Sequence, residues 1–211
     1  MNLSEEGLKL IQAWEGIEDG NPATVLLEPY ICPANVYTIG WGHALTTPKG
    51  TLIDTDVQGP ARAAELAMQA MDRLFGKQAI SKADAERLLY NDVEEWGDKV
   101  FARLQGPTSQ NQFDAMVALA FNVGIGGFNE SAVRRFHNEG NRKIGDVSIS
   151  ELCQLSKARA TSTTMPIAFT RWSYSNGRWL LGLFRRRVSE MMIYGGHDYS
   201  KSIATAKGFR G

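Results

Sequence analysis

Cysteine and histidine are scarce in this chain, and neither sign of charge is in excess. Two cysteines, Cys32 and Cys153, among 211 residues are too few for a disulfide framework in a chain of this size. Free thiols suit a reducing compartment. Three histidines with no ligand-like clustering leave no metal set, so neither metal nor cofactor is expected. Basic and acidic residues number 23 each. That balance argues against a dedicated nucleic-acid binder and leaves room only for a local basic face toward an anionic polymer. No apolar run approaches the length of a membrane span, so no stable membrane association is expected. The chain enters an amphipathic helix at once, with no basic n-region and no apolar h-region, so no secretory signal is expected either.

What is present is enough apolar material for a full core. Hydrophobic residues make up 43% of the chain, and the length supports one large domain or two closely packed lobes. Residues 4–16 read as a helix, with Ser4 as N-cap and Glu5 and Glu6 in the first turn, where the dipole favours anions. Residues 17–45 carry Gly, Pro and Asn among short β-branched pieces (Thr24-Val25-Leu26 and Val36-Tyr37-Thr38-Ile39), the pattern of a small hairpin-rich lobe. Residues 46–60 read as loop. The Ala-rich stretch 61–75 is a helix by propensity and period. Another helix opens at Ser81 and runs through Leu88, Val93 and Trp96. A fourth, 110–123, carries a broad apolar face and ends at Gly124, Gly126 and Gly127. That GxGG run follows a helix, so a C-cap and tight turn explains it better than nucleotide binding does. A short helix at 131–138, a polar stretch 139–165 around a small helix at 149–158, and a partly helical end over 166–194 complete the pattern.

The chemistry gathers at two places. Leu8, Ile11 and Glu15 fall on one helix face, which puts Glu15 at the C-terminal end of the first helix, on its core side. Desolvation and the negative end of the dipole both favour the neutral form of a carboxyl. A neutral carboxylic acid is what a glycosidase needs to protonate a leaving oxygen. Alternatively, Glu15 simply lies in solvent, as most acidic residues do. Downstream stands Tyr37-Thr38-Ile39-Gly40-Trp41-Gly42-His43, a turn inside a strand-rich stretch. His43 by itself reads as a catalytic base or a ligand.

Trp14-Glu15-Gly16 followed by this Thr-Ile-Gly-aromatic-Gly-His turn resembles the T-even and lambdoid phage lysozymes of glycoside hydrolase family 24. Further segments fit in order: Tyr30-Ile31-Cys32-Pro33, ISKADAERLLYNDV (80–93), QNQFDAMVALAFNVGIGGF (110–128) and RWSYSNGRWLLGLFRRRVSEMMIYGG (171–196). The stretches 17–29, 44–79 and 139–167 match poorly and look like insertions. The resemblance implies an α+β, lysozyme-like fold in a single catalytic domain, 1–211. A small β-hairpin lobe, about 17–80, would face a larger helical lobe, about 81–211 plus the N-terminal helix. A long helix would join the lobes, with a cleft between them.

The resemblance also assigns roles. Glu15 would be the general acid, and Thr38 would hold the attacking water. Cys32, six residues before Thr38, stands where many family members carry Asp. A thiol with a reference pKa of about 8.5 is mostly neutral at pH 7 unless perturbed, so its role as base or nucleophile stays open. Glu18, Asp19 and Glu28 are nearby carboxylates that could substitute, and Cys32 could instead be a small buried filler. His43 would pair with Asp92 on the long helix as a structural link. Phe121 and Ser131 map to substrate-binding positions, although Phe121 also suits a plain core role. Arg185-Arg186-Arg187 reads as a solvated helix face or one turned toward anionic murein.

The implied activity is that of an endolysin-type muramidase. It would hydrolyse the β-1,4 bond between N-acetylmuramic acid and N-acetylglucosamine in peptidoglycan, for host cell lysis. The protein would be a monomer that accumulates in the host cytoplasm, leaves through a holin-type pore and acts on the wall. Two rivals stand beside it. A lytic transglycosylase needs one acid/base and no positioned water, which the missing Asp makes thinkable. A murein-binding or tail-structural protein could use the same fold without catalysis, since fold does not fix function.

Overall fold

Eight consecutive residues, Phe113 to Ala120, are buried. A helix buried all round is the centre of a helical core rather than a surface element. The computed structural model describes residues 1–15, 26–32 and 34–211. Gly16, Glu18, Asp19, Thr24, Val25 and Pro33 lie outside them. The class is α+β, with ten helices and seven short strands among the described residues, in two compact units: Met1–Trp14 with Val93–Gly211, and Glu15–Asp92.

The larger unit is helical. It contains α1 (Glu5–Trp14), the second half of α4 (Lys82–Phe101), α5 (Gln110–Glu130), α6 (Ala132–Asn138), α7 (Ile149–Lys157), α8 (Met165–Thr170), α9 (Leu181–Tyr194) and α10 (Tyr199–Gly208). Ser109 opens α5 with a capping box, its side chain accepting from Gln112 N while the Gln112 side chain reaches back to Ser109 N. Gly124 (φ 80°, ψ 157°) breaks the helix, which then resumes and runs to Glu130. The first helical stretch therefore ends at Gly124 in a kink, and only glycine takes that backbone without strain. Asp114, buried in this apolar run, is fully occupied. It accepts from Ser4 N at 3.2 Å, Gln110 Nε2 at 2.8 Å, the Tyr199 hydroxyl at 2.7 Å and the Ser4 hydroxyl. One carboxylate thus ties the chain's first turn and α10 to the central helix.

The arginine run on α9 corrects an expectation. Arg186 and Arg187 are not a solvated face: they are 4% and 0% exposed. Glu190 on the same helix, also buried, lies 3.2 Å from Arg186 Nε and 2.7 Å from Arg187 Nη2. Spacings of three and four residues put all three on one helix face, and buried charges persist only when paired. Arg185 is turned differently, with Nε donating to Phe209 O at 2.8 Å. The stretch between α8 and α9 forms a hairpin, β6 (Tyr174–Ser175) with β7 (Arg178–Trp179), around Asn176 and Gly177 at φ 48° and 75°. This is the Asn-Gly pair that two-residue hairpin turns favour.

The smaller unit holds the remaining strands. β2 (Tyr30–Ile31), β3 (Tyr37–Ile39) and β4 (His43–Ala44) make an antiparallel sheet in the order β2-β3-β4, while β1 (Leu26–Leu27) pairs with β5 (Ile80–Ser81). Two helices follow the sheet: α2 (Thr55–Gln58) in a stretch expected to be loop, and α3 (Pro60–Phe75). Asp54 caps α2, accepting from Asp56 N and Val57 N. The smaller unit runs to Asp92 and so includes the first half of α4. The first half of α4 packs with the sheet, so close that a Cβ on Gly40 (φ 61°) would stand 2.8 Å from the Ala85 Cβ.

Candidate active site

Cys32 and Thr38 come together through hairpin register. Tyr30 pairs with Thr38 and Ile31 with Tyr37, and side chains alternate between faces along a strand. Tyr30 and Thr38 therefore share one face, Ile31 and Tyr37 the other. Cys32 continues the Tyr30 face at the mouth of the turn, its N–H donating to Val36 O at 3.0 Å. The Thr38 hydroxyl also donates to Val36 O, at 3.0 Å. Thr38 is 3% exposed, and Cys32 is partly exposed.

The surroundings of the thiol favour its ionised form. Burial pushes the Cys32 thiol up. The polar backbone groups of Ala34, Val36 and Cys32 itself, with the Thr38 side chain, outweigh burial and bring it below its ordinary value. Cys32 is free of any disulfide, and so is the buried Cys153.

Glu15 is the first residue of this same unit and is partly buried. α1 stops at Trp14, whose indole N–H donates to Ser189 Oγ at 2.9 Å. Glu15 thus stands one residue past the helix rather than inside its last turn. Of the substitute carboxylates named above, Glu28 is exposed, close to Tyr37 on the opposite side of the hairpin, where both line a groove of about 350 Å³. Glu18 and Asp19 lie outside the described residues.

The other residues singled out in the sequence divide between the units. His43 Nδ1 lies 2.8 Å from Asp92 Oδ2 and 3.0 Å from Oδ1, pinning β4 to α4. Phe121 is half-buried in the larger unit, edge-on to Trp96 with ring centroids 6.0 Å apart. Ser131, 3% exposed, caps α6: its hydroxyl donates to Phe128 O at 2.7 Å and accepts from Arg134 N at 3.1 Å. It also lines a cavity of about 360 Å³ with Arg134, Arg171 and Trp172. Sequence reasoning missed Asn35, which shapes the turn beside Cys32 at φ 61°. An Asn between two strand-like pieces was the signal that could have found it. Among the described residues, no group of three or more His, Cys, Asp or Glu side chains converges as a metal cage would.

The phage lysozyme family model matches residues 23–148. The chain belongs to the phage lysozyme family. It is 30% identical over 194 residues to the endolysin of Bacillus phage B103, an alignment covering 92% of this chain and 54% of that relative. The chain thus spans about half the length of that relative. A second endolysin, from Acyrthosiphon pisum secondary endosymbiont phage 1, is 25% identical, with 92% of this chain and 98% of the relative aligned. Among solved structures, the endolysin of Escherichia coli O157:H7 phage FAHEc1 superposes with a TM-score of 0.59 at 26% identity, covering 92% of this chain and 93% of that one.

Proposed function

We propose that this chain is an endolysin-type muramidase that cleaves the β-1,4 bond between N-acetylmuramic acid and N-acetylglucosamine in bacterial peptidoglycan. The observation that carries the reading is the placement of Cys32 and Thr38 on one hairpin face, in a member of the phage lysozyme family. In this reading Glu15 gives its proton to the glycosidic oxygen as the C1–O bond breaks. Water held by the Thr38 hydroxyl attacks C1. Cys32, as thiolate, accepts the proton the water gives up, so acid and base end the turnover with exchanged protons. A thiol held below its ordinary value is deprotonated in a larger fraction of molecules near neutral pH, which suits a base.

Phe121 and Ser131 contribute to substrate binding, and the His43–Asp92 pair is structural. The protein acts as a monomeric single domain, without cofactor, on the wall, after release from the host cytoplasm through a holin-type pore. Among the described residues, no helix is long and apolar enough to cross a membrane. The test is product analysis on purified walls. Hydrolysis leaves reducing ends, whereas 1,6-anhydro sugars would show a transglycosylase, and binding without soluble products would show a non-catalytic wall protein.

A further inference from the structure

Two cavities in the larger unit share a wall. Arg171 and Trp172 bound the one of about 360 Å³ that Ser131 lines. The same two residues, with Arg159 and Tyr174, line a second of about 340 Å³. Cations predominate around both. From Glu130 to Trp179 the chain carries eight basic residues against four acidic, an excess of four in a chain of no net charge. Arg134, Arg135, Arg159 and Arg171 line the cavities, and of the four acids only Glu130 does. Arg171 is exposed, and its guanidinium makes no hydrogen bond or ion pair among the described residues.

Arg159 is held at the second cavity at a conformational cost. It follows the C-cap of α7 with φ 53°, and Ala160 N next to it donates back to Leu155 O at 2.9 Å. Glycine is usual at this position after a helix, because an L side chain crowds the left-handed backbone. A strained residue kept in place is a reason to look for its use. The Arg159 guanidinium lies over the Tyr174 ring, 4.3 Å from its centroid, and Nη2 donates to Gly177 O at 3.0 Å. The Tyr174 hydroxyl donates to Lys157 O at 2.8 Å, so ring and guanidinium are fixed together. Arg159 Nε and Nη1 make no bond among the described residues and stay available to a ligand. Arg159 lies inside the 139–167 stretch that departs from the family pattern, so this arginine is the chain's own.

We propose that the cavity between Arg159 and Arg171 binds the phosphodiester groups of an anionic polyol-phosphate polymer carried by the wall glycan. Guanidiniums meet phosphate oxygens with paired N–H donors, and a phosphodiester keeps its charge at every working pH. The Trp172 and Tyr174 rings offer flat apolar faces to the C–H groups between successive phosphates. Trp172 is a firm platform: it packs on α5 so closely that a Cβ on Gly127 would stand 3.1 Å from its ring. Charge decides between the anionic ligands a wall offers. Stem peptides carry amines beside their carboxylates, whereas each polyol-phosphate repeat carries one uncompensated negative charge. A surface with four positive charges in excess suits the second. The place where the polymer is met rests on the muramidase reading above; the binding itself does not.

The experiment measures binding of the full chain to poly(glycerol phosphate) by titration calorimetry at low and high salt. The parent should bind, and more weakly at high salt. Arg171→Gln and Arg159→Gly should each weaken binding about tenfold or more, the usual loss with one charge-assisted hydrogen bond. Glycine takes the left-handed backbone freely, so Arg159→Gly should melt no lower than the parent while it binds less. Arg171→Gln removes no bond within the protein and keeps the test valid if Arg159→Gly is unstable. Both variants should lyse phosphate-bearing walls several-fold more slowly than the parent, and equally fast once hydrofluoric acid has stripped the phosphodiesters. The proposal is overturned if the parent does not bind, if the folded variants bind as the parent does, or if all three lyse unstripped walls alike. Equal affinity for a DNA duplex with the same number of phosphates, or tighter binding to a free stem peptide, also overturns it. A parent that binds the polymer and lyses no wall upholds this site and refutes the muramidase reading.

Discussion

His137 makes folding of this protein sensitive to acid. It lies on α6, 0% exposed, with Nε2 2.9 Å from the Thr108 hydroxyl and Nδ1 2.8 Å from the Tyr194 hydroxyl. Both ring nitrogens have neutral partners. Burial, and then the charge of Arg142, lower its pKa from 6.5 to about 4. Between those values the unfolded chain holds a proton that the folded chain refuses. Stability is therefore intact above about pH 6.5 and falls by about 1.4 kcal/mol for each unit of acidification below it. Going from pH 7.5 to 4.5 should cost about 2.5 kcal/mol through this residue alone, a large part of the 5–15 kcal/mol that holds a typical domain together. The assay is urea unfolding of the parent and of His137→Gln at several pH values, with extrapolation to water. Gln can bond to the same hydroxyls but does not ionise. It will lower stability at pH 7.5, but the gap between the two proteins should close by about 2.5 kcal/mol on reaching pH 4.5. Carboxylates such as Asp84 and Asp198, which also weaken folding in acid, are common to both proteins and cancel. A gap that stays constant across the range refutes the reasoning.

Two further outcomes follow from buried and reactive groups. Glu190→Ala removes the buried carboxylate that Arg186 and Arg187 share and should cost about 3–5 kcal/mol, read as a fall in melting temperature at pH 7. A loss below about 1 kcal/mol would mean the arginines find water. Cys32→Ala should keep the melting temperature and lose most lytic activity, whereas Cys32→Asp should retain or restore it. Full activity in a stable Cys32→Ala protein would move the second role to Thr38 alone or to another carboxylate.

Long periodic segments were legible in the sequence because their burial is written into their spacing. α3, α4 and α5 begin within one residue of expectation, and Ser109, Asp54 and Ser131 cap helices by the chemistry their type suggests. α2 was missed because four residues are too few to show a period, although Asp54 was a visible cap. The hairpin of β6 and β7 was missed inside a stretch read as partly helical, despite its Asn-Gly signal. The arginines of α9 misled because a run of like charge was weighed without its partner: Glu190, at i+3 and i+4, turned a supposed surface into a buried triad. At the site, residue types were legible and directions were not. The family resemblance pointed to Cys32 and Thr38, but only the register shows them on one face. No pattern in composition announces that Asn35 takes a left-handed backbone and donates its N–H back to the Cys32 carbonyl.

The account stands on an acid at Glu15. Glu15→Gln keeps the size of the side chain and removes the proton it would donate. The specific rate of wall lysis by the purified variant, with its fold verified by circular dichroism and melting temperature, measures that proton directly. The account predicts a loss of at least about two orders of magnitude, the usual contribution of a positioned general acid. Near-normal lysis by a folded Glu15→Gln protein would contradict it.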